Sequence, residues 1–203
     1  MIVQSAPLYG ATETHIRKFV PQFNIETAEF NDGLDEEGML TSLRDASGKG
    51  RVAMVFIESP ANPTNSLVDF EALNRVLDTI EAETGHRPIS VCDNTLMGPV
   101  FQQVIPQNID MAMYSLTKYV GGHSDLVAGA VCGSCEMLRP VRTTRGTLGL
   151  NLDPHTSWMI SRSLETLSIR MERSADSGKK VAKWIADNAY ISAKILHPDF
   201  IQD

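Results

Sequence analysis

The stretch "VAMVFIESPANPT", Val52 to Thr64, begins with six consecutive apolar residues and ends in a glutamate and a loop with two prolines. A strand with one wet face alternates apolar and polar residues. This one does not, so it reads as a strand buried on both faces, the pattern of a parallel sheet covered by helices. The strand itself is Val52–Glu58. Four further runs read the same way: "IVQSA" (Ile2–Ala6), "ISVCDN" (Ile89–Asn94), "DMAMYS" (Asp110–Ser115) and "LVAGAVC" (Leu126–Cys132).

Helical patterns lie between these runs. Phe70, Leu73, Leu77 and Ile80 recur at helical spacing, with Asp69 as N-cap and Gly85 as stop. A weaker helix covers Leu34–Ala46, and another covers Ala11–Phe19 after the first strand. Ile160, Leu164, Leu167 and Met171 share one face. Val181, Ala182 and Ile185 share another, on a helix from about Ser174 to Asn188. Strands alternating with helices predict an α/β fold with a mostly parallel sheet. The sequence shows no repeat, low-complexity segment or linker.

In such sheets ligands gather beyond the carboxyl ends of the strands. Here those ends carry the chemistry. Val52–Glu58 runs into "ESPANPT". Ile89–Asn94 delivers Asp93. Asp110–Ser115 delivers Ser115, Thr117 and Lys118 within "YSLTKYVGGHSDLVAGAV", Tyr114 to Val131.

Composition narrows the function. The 203 residues include 18 Lys and Arg against 25 Asp and Glu, a formal net charge of −7. With no basic run, an acidic chain of this kind excludes nucleic acid or an anionic membrane as a partner bound through a basic surface. "MIVQSAPLYG" lacks a signal-peptide pattern and no apolar run spans a bilayer, so the expectation is a soluble cytoplasmic protein. Three cysteines, Cys92, Cys132 and Cys135, make no disulfide framework. Cys132 and Cys135 form a lone C-x-x-C without the second ligand pair of a zinc site. They read as small residues in a buried turn, and no metal is expected.

A lysine at a strand end can act as a nucleophile toward carbonyls if it is desolvated or tuned by neighbours. Pyridoxal phosphate is the common cofactor held in this way. It asks for a lysine, a carboxylate at the pyridine nitrogen, groups for the phosphate and a flat cover for the ring. Lys118, Asp93, Ser115 with Thr117, and Tyr9 of "LYGAT" supply one candidate each. Each also has an ordinary reading. Asp93 can cap the next segment, Ser115 and Thr117 can be turn residues, Tyr9 can be core, and His123 with Gly121 and Gly122 can be a plain loop. Residue chemistry alone leaves other Schiff-base enzymes open. A Rossmann-type nucleotide binder fits the alternation but lacks G-x-G-x-x-G after the first strand.

Taken together, "APLYGAT", "ESPANPT", "VCDNT", "YSLTKYVGGHSD" and "SLETLSIRME" resemble the Cys/Met-metabolism (trans-sulfuration) pyridoxal phosphate enzymes, from about Ile2 to about His197. The resemblance implies fold type I architecture, whose large domain is a mainly parallel sheet between helices. It implies Lys118 as the Schiff-base lysine and proton carrier, and Asp93 at the pyridinium nitrogen. It implies Ser115 and Thr117 at the phosphate, Tyr9 over the ring and helping the substrate, Asn62 near the phenolic oxygen, and Glu58 close by. It implies gamma-elimination or gamma-replacement on amino acids of the methionine, cystathionine or homoserine type, and a homo-oligomer built as a dimer of dimers. Ala11 stands where methionine gamma-lyases carry cysteine, which disfavours efficient methionine lysis.

Family members also carry an N-terminal arm, a Ser-Gly-Met type phosphate loop and a C-terminal small domain. None of these has a match in this sequence. The resemblance therefore implies that residues 1–203 are a partial cofactor-binding large domain. From about 173 onward lie a helix and the start of the connection to the small domain. A catalytically silent or cofactor-binding-only fragment is the alternative to a working enzyme.

Overall fold

A computed structural model of the chain describes residues 1–188. The chain divides into two compact units, Met1–Tyr114 with Gly129–Asn151, and Ser115–Ala128 with Leu152 onward.

The first unit is built on a six-stranded sheet in the order β2-β1-β3-β4-β5-β6. The strands are β1 (Ile2–Ser5), β2 (Thr27–Phe30), β3 (Met54–Glu58), β4 (Ile89–Asp93), β5 (Met111–Ser115) and β6 (Gly129–Gly133). The β1–β2, β1–β3, β3–β4 and β4–β5 pairs are parallel. Register pairs Glu58 with Asp93 at the carboxyl ends of β3 and β4.

Successive side chains leave a strand on opposite faces, and the two faces fill two cores. Val3, Val55, Ile57, Cys92 and Ala112 belong to one. Phe56, Val91 and Met111 belong to the other. Both faces of β3 are thus apolar, which is why its sequence shows no alternation. The first core is covered by α2 (Glu36–Ser47) and α3 (Phe70–Thr84). Leu73, Leu77 and Ile80 of α3 are buried almost completely, worth roughly 1.5–3 kcal/mol each as area removed from water. Asp69 caps α3 by accepting from the N–H groups of Glu71 and Ala72, and Gly85 ends it at φ +75°. The second core takes Leu8, Ile16, Met137 and Leu138.

Several elements differ from the sequence reading. β2 was missed. It is four residues long at the sheet edge and fully buries only Phe30, too brief a signal for a period of two. The helix foreseen over 11–19 is a short α-helix α1 (Gly10–Thr14), a π turn over His15–Phe19 and a 3-10 turn over Val20–Phe23. Pro21 lacks the N–H that would extend a regular ladder. The strand foreseen over 126–132 is Gly129–Gly133. A four-residue helix α4 (Gly98–Phe101) follows β4.

Helix α5 (Cys135–Leu148) was also missed. It carries Pro140, and its Met137 and Leu138 pack only half-buried against the second core, so its apolar signal is weak. Its one sequence mark is Ser134, whose hydroxyl accepts from Met137 N–H as an N-cap. Cys132 and Cys135 lie in β6 and at the first position of α5. Both are exposed, which corrects the buried-turn reading.

The second unit holds α6 (Pro154–Leu164) and α7 (Leu167–Asp187) with the segment 115–128. Its buried apolar residues include Val120, Leu126, Ile160, Leu167 and Met171. The helical break falls at Glu165–Thr166, not near residue 173, and Leu164 and Val181 are exposed. Thr166 sits at φ −109°, ψ 7°, outside the helical ladder, so α6 ends and α7 begins there although Ile160, Leu167 and Met171 are all buried. The connection foreseen beyond Asn188 lies outside the described residues. Among the described residues no helix is long and apolar enough to cross a membrane.

Candidate active site

The carboxyl ends of β1, β3 and β4 assemble a polar cluster inside the first unit. Glu58, the last residue of β3, is 5% exposed. Its Oε2 accepts the backbone N–H of Tyr9 at 2.7 Å, and its Oε1 accepts the backbone N–H of Asn62 at 2.8 Å. Its own N–H donates to Ser5 Oγ at the end of β1, at 3.2 Å. One carboxylate therefore fixes the backbone at two other residues singled out from the sequence, on loops more than forty residues apart. Tyr9 and Asn62 themselves are exposed. The loop after Glu58 contains cis peptide bonds before Pro60 and Pro63.

Asp93 ends β4 and is 9% exposed. Thr95 turns back on it, with N–H and Oγ1–H both donating to Asp93 Oδ1, at 3.0 and 2.5 Å. Burial pushes the Asp93 carboxyl above the ordinary carboxylate range, against those two bonds. Burial also raises Glu58, opposed by the Tyr9 and Asn62 amides and reinforced by the nearby charge of Asp93. Two desolvated carboxylates on neighbouring strand ends form a place where a cationic N–H would be stabilised.

Asn94 follows, fully buried. Its Nδ2 donates to Gln102 O and Tyr114 Oη, and its Oδ1 accepts from Gln102 Nε2, which also reaches Ser59 O. This buried net ties the end of β4 to the loop after β3. Cys92 is not a nucleophile candidate, because burial pushes its thiol up to about 12. Among the described residues no group of three or more His, Cys, Asp and Glu is poised for a metal ion.

Ser115, Thr117 and Lys118 belong to the second unit, where β5 gives way to a tight loop. Lys118 N–H donates to Ser115 O at 3.2 Å, Gly121 N–H to Leu116 O at 2.7 Å and Gly122 N–H to Lys118 O at 2.7 Å. Thr117 Oγ1 accepts Ala128 N–H at 3.0 Å and lies 3.3 Å from Ala128 O. The Thr117 O–H donates to that Ala128 O, so the hydroxyl both accepts from and donates to the Ala128 backbone. Glycine is required at 121, where a Cβ would come within 3.0 Å of Leu116 O and Leu126.

Sequence reasoning did not single out Ser5, Thr95 or Arg170. Thr95 lies in "VCDNT", two residues past Asp93, the spacing of a side chain that hydrogen-bonds back. Arg170, in "SLETLSIRME", carries no pattern that points to the lysine loop, because its partners there are backbone carbonyls some fifty residues away.

The sequence profile of the Cys/Met metabolism PLP-dependent enzymes matches residues 1–202. The chain is 32% identical to human cystathionine gamma-lyase over 195 residues, covering 94% of this chain and 44% of that one. It is 31% identical to L-methionine gamma-lyase of Treponema denticola over 188 residues, covering 91% and 44%. It is 31% identical to cystathionine beta-lyase of Lactococcus lactis subsp. cremoris over 203 residues, covering 98% and 50%. The chain thus spans half or less of the length of these relatives. The crystal structure of metB from Corynebacterium glutamicum superposes with a TM-score of 0.84 at 27% identity, covering 95% of this chain and 47% of that one. A parallel sheet with paired buried carboxylates at its strand ends and a lysine loop after β5 agrees with a profile match over nearly every residue: the chain belongs to the Cys/Met metabolism PLP-dependent enzyme family.

Proposed function

We propose that this chain carries the cofactor-binding residues of an enzyme acting on sulfur-containing amino acids, by gamma-elimination or gamma-replacement at a C–S or C–O(acyl) bond. The observation that carries the reading is Asp93, a buried carboxylate at the carboxyl end of β4, held by Thr95 and raised by desolvation. An anion in that position is relieved by a cation, and the protonated ring nitrogen of pyridoxal phosphate is one. The residues present fit that cofactor.

In this reading Lys118 Nζ would bind the cofactor's carbonyl carbon and Asp93 would accept from the ring N–H. Ser115 and Thr117 would donate hydroxyls to the phosphate. Tyr9 would cover the ring, Asn62 would serve the phenolic oxygen, and Glu58 supports the backbone of both Tyr9 and Asn62. When bound, the cofactor supplies a sink for the electron pair left as the substrate's Cα–H bond breaks. Lys118 Nζ would be the base that accepts the substrate's Cα proton and passes it on. Glu58 keeps Tyr9 where its hydroxyl can reach the substrate's amine or leaving group. The relatives' names, cystathionine gamma-lyase, cystathionine beta-lyase and methionine gamma-lyase, support a sulfur amino acid as substrate. Ala11 argues against methionine as the preferred one. We further infer self-association, supported by exposed Phe19, Phe23, Leu34 and Leu67 on the first unit.

The test is product analysis. The chain with pyridoxal phosphate is offered methionine, cystathionine, or O-acetylhomoserine with sulfide, and 2-oxo acid and thiol products are measured. Wild type should develop a visible absorbance band with the cofactor that Lys118→Ala does not. An unchanged band in Lys118→Ala would remove Lys118 from its role. A band without turnover on any substrate would favour a cofactor-binding-only chain.

A further inference from the structure

The segment that carries Lys118 is a wound loop whose last carbonyls have no partner within the loop itself. Leu116 O and Lys118 O are taken by Gly121 and Gly122 N–H. The next two, Tyr119 O and Val120 O, are taken by one side chain on another element. Arg170, in the first turn of α7, donates Nη1–H to Tyr119 O at 2.5 Å and Nη2–H to Val120 O at 3.1 Å. The same guanidinium donates Nη2–H to Ser163 O at 2.8 Å and Nε–H to Thr166 Oγ1 at 3.1 Å. It therefore joins three chain segments: the end of α6, the turn between α6 and α7, and the lysine loop.

The chemistry suits arginine alone. Terminal carbonyls of a wound segment need donors, and a cation there also meets their partial negative charge. Two successive carbonyls call for a planar fork, which guanidinium offers and ammonium does not. Gly122 completes the contact. It sits at φ +78°, and a Cβ there would run into the Arg170 guanidinium. The glycine thus serves both the left-handed turn and the approach of Arg170.

We propose that Arg170 is a positioning residue for Lys118: its fork holds the backbone directly after the lysine and so sets where Nζ is presented to the cofactor's carbonyl. This rests on the reading of Lys118 as the cofactor-binding lysine. A misplacement of about 1 Å costs roughly 10²-fold in a reaction that depends on orientation.

The experiment uses the full chain as wild type, Arg170→Ala and Arg170→Lys. Amide hydrogen exchange at Gly121 and Gly122 reports the loop, with the β3 amides of Val55–Ile57 as the control for folding. Borohydride trapping of added pyridoxal phosphate, located by peptide mass, reports the rate at which Lys118 is labelled. Arg170→Ala should speed exchange at Gly121 and Gly122, leave β3 unchanged, and slow Lys118 labelling by about 10²-fold. Arg170→Lys should fall between. If Arg170→Ala leaves loop exchange and labelling at wild-type rates, the proposal is overturned. If loop exchange rises but labelling is unchanged, Arg170 anchors the loop without positioning Lys118, which also overturns it. Wild type that never labels Lys118 would instead remove the functional reading, and positioning for that chemistry with it. If β3 protection is also lost in Arg170→Ala, Arg170→Lys decides by the same two readouts.

Discussion

At the scale of single residues, Asp93 and Glu58 set the electrostatics of the first unit's polar end. Both carboxyls lie above their ordinary values of 3.8 and 4.5 because burial disfavours the anion. Between the ordinary and the raised value, the folded chain holds a proton that the unfolded chain has released. Stability contributed by each group is then present at low pH and lost as pH rises through the raised pKa. Asp93→Asn removes one of these contributions. Without added cofactor, the variant's urea midpoint should therefore gain on wild type as pH climbs from about 4 through that window. A difference that shrinks instead would mean that Asp93 is stabilised, not strained, in the folded chain. With cofactor the sign reverses, because an anion is wanted. Asp93→Asn should weaken pyridoxal phosphate binding by about 10- to 100-fold, the worth of one hydrogen bond to a charged group, measured by absorbance titration.

At the scale of elements, α3 shows how unevenly its energy is distributed. Leu77 is fully buried in the larger core. Leu77→Ala should cost roughly 2–5 kcal/mol through lost transfer energy and a residual cavity. Asp69→Ala removes only the cap that satisfies two N–H groups and should cost about 1 kcal/mol. Urea denaturation of the two variants checks both the order and the gap. Helix α3 was legible because its apolar residues recur every three or four positions between a capping aspartate and a glycine. Helix α5 was not, because Pro140 lies inside it and its core-facing Met137 and Leu138 are only half-buried. The break between α6 and α7 was misplaced because Leu164 and Leu167 look like one stripe. Only the backbone at Thr166 shows that the ladder stops between them.

At the scale of the whole molecule, the sheet order brings strand ends from distant parts of the sequence to one edge. The β1, β3 and β4 carboxyl ends lie side by side because every pair among them is parallel. That is why Glu58 can hold Tyr9 and Asn62 together. Glu58→Ala should free both backbone amides at once, seen as faster exchange at Tyr9 and Asn62 with β3 protection retained. If only one of the two changes, Glu58 is not the common support. Self-association is checked by sedimentation, where the expected mass is an even multiple of the 22.3 kDa chain. A species of 22.3 kDa that turns over substrate by itself would count against it.

The sequence by itself determined the fold class, since a strand buried on both faces cannot alternate and a parallel sheet needs helices between its strands. It also marked which side chains to propose for the chemistry, because Glu58, Asp93, Ser115, Thr117 and Lys118 end or directly follow apolar runs. Only the tertiary structure decided what supports them. Glu58 on two loop amides and Arg170 on the carbonyls after Lys118 act through backbone groups. A backbone N–H or C=O is the same at every position, so a sequence carries no mark of which one a distant side chain will meet.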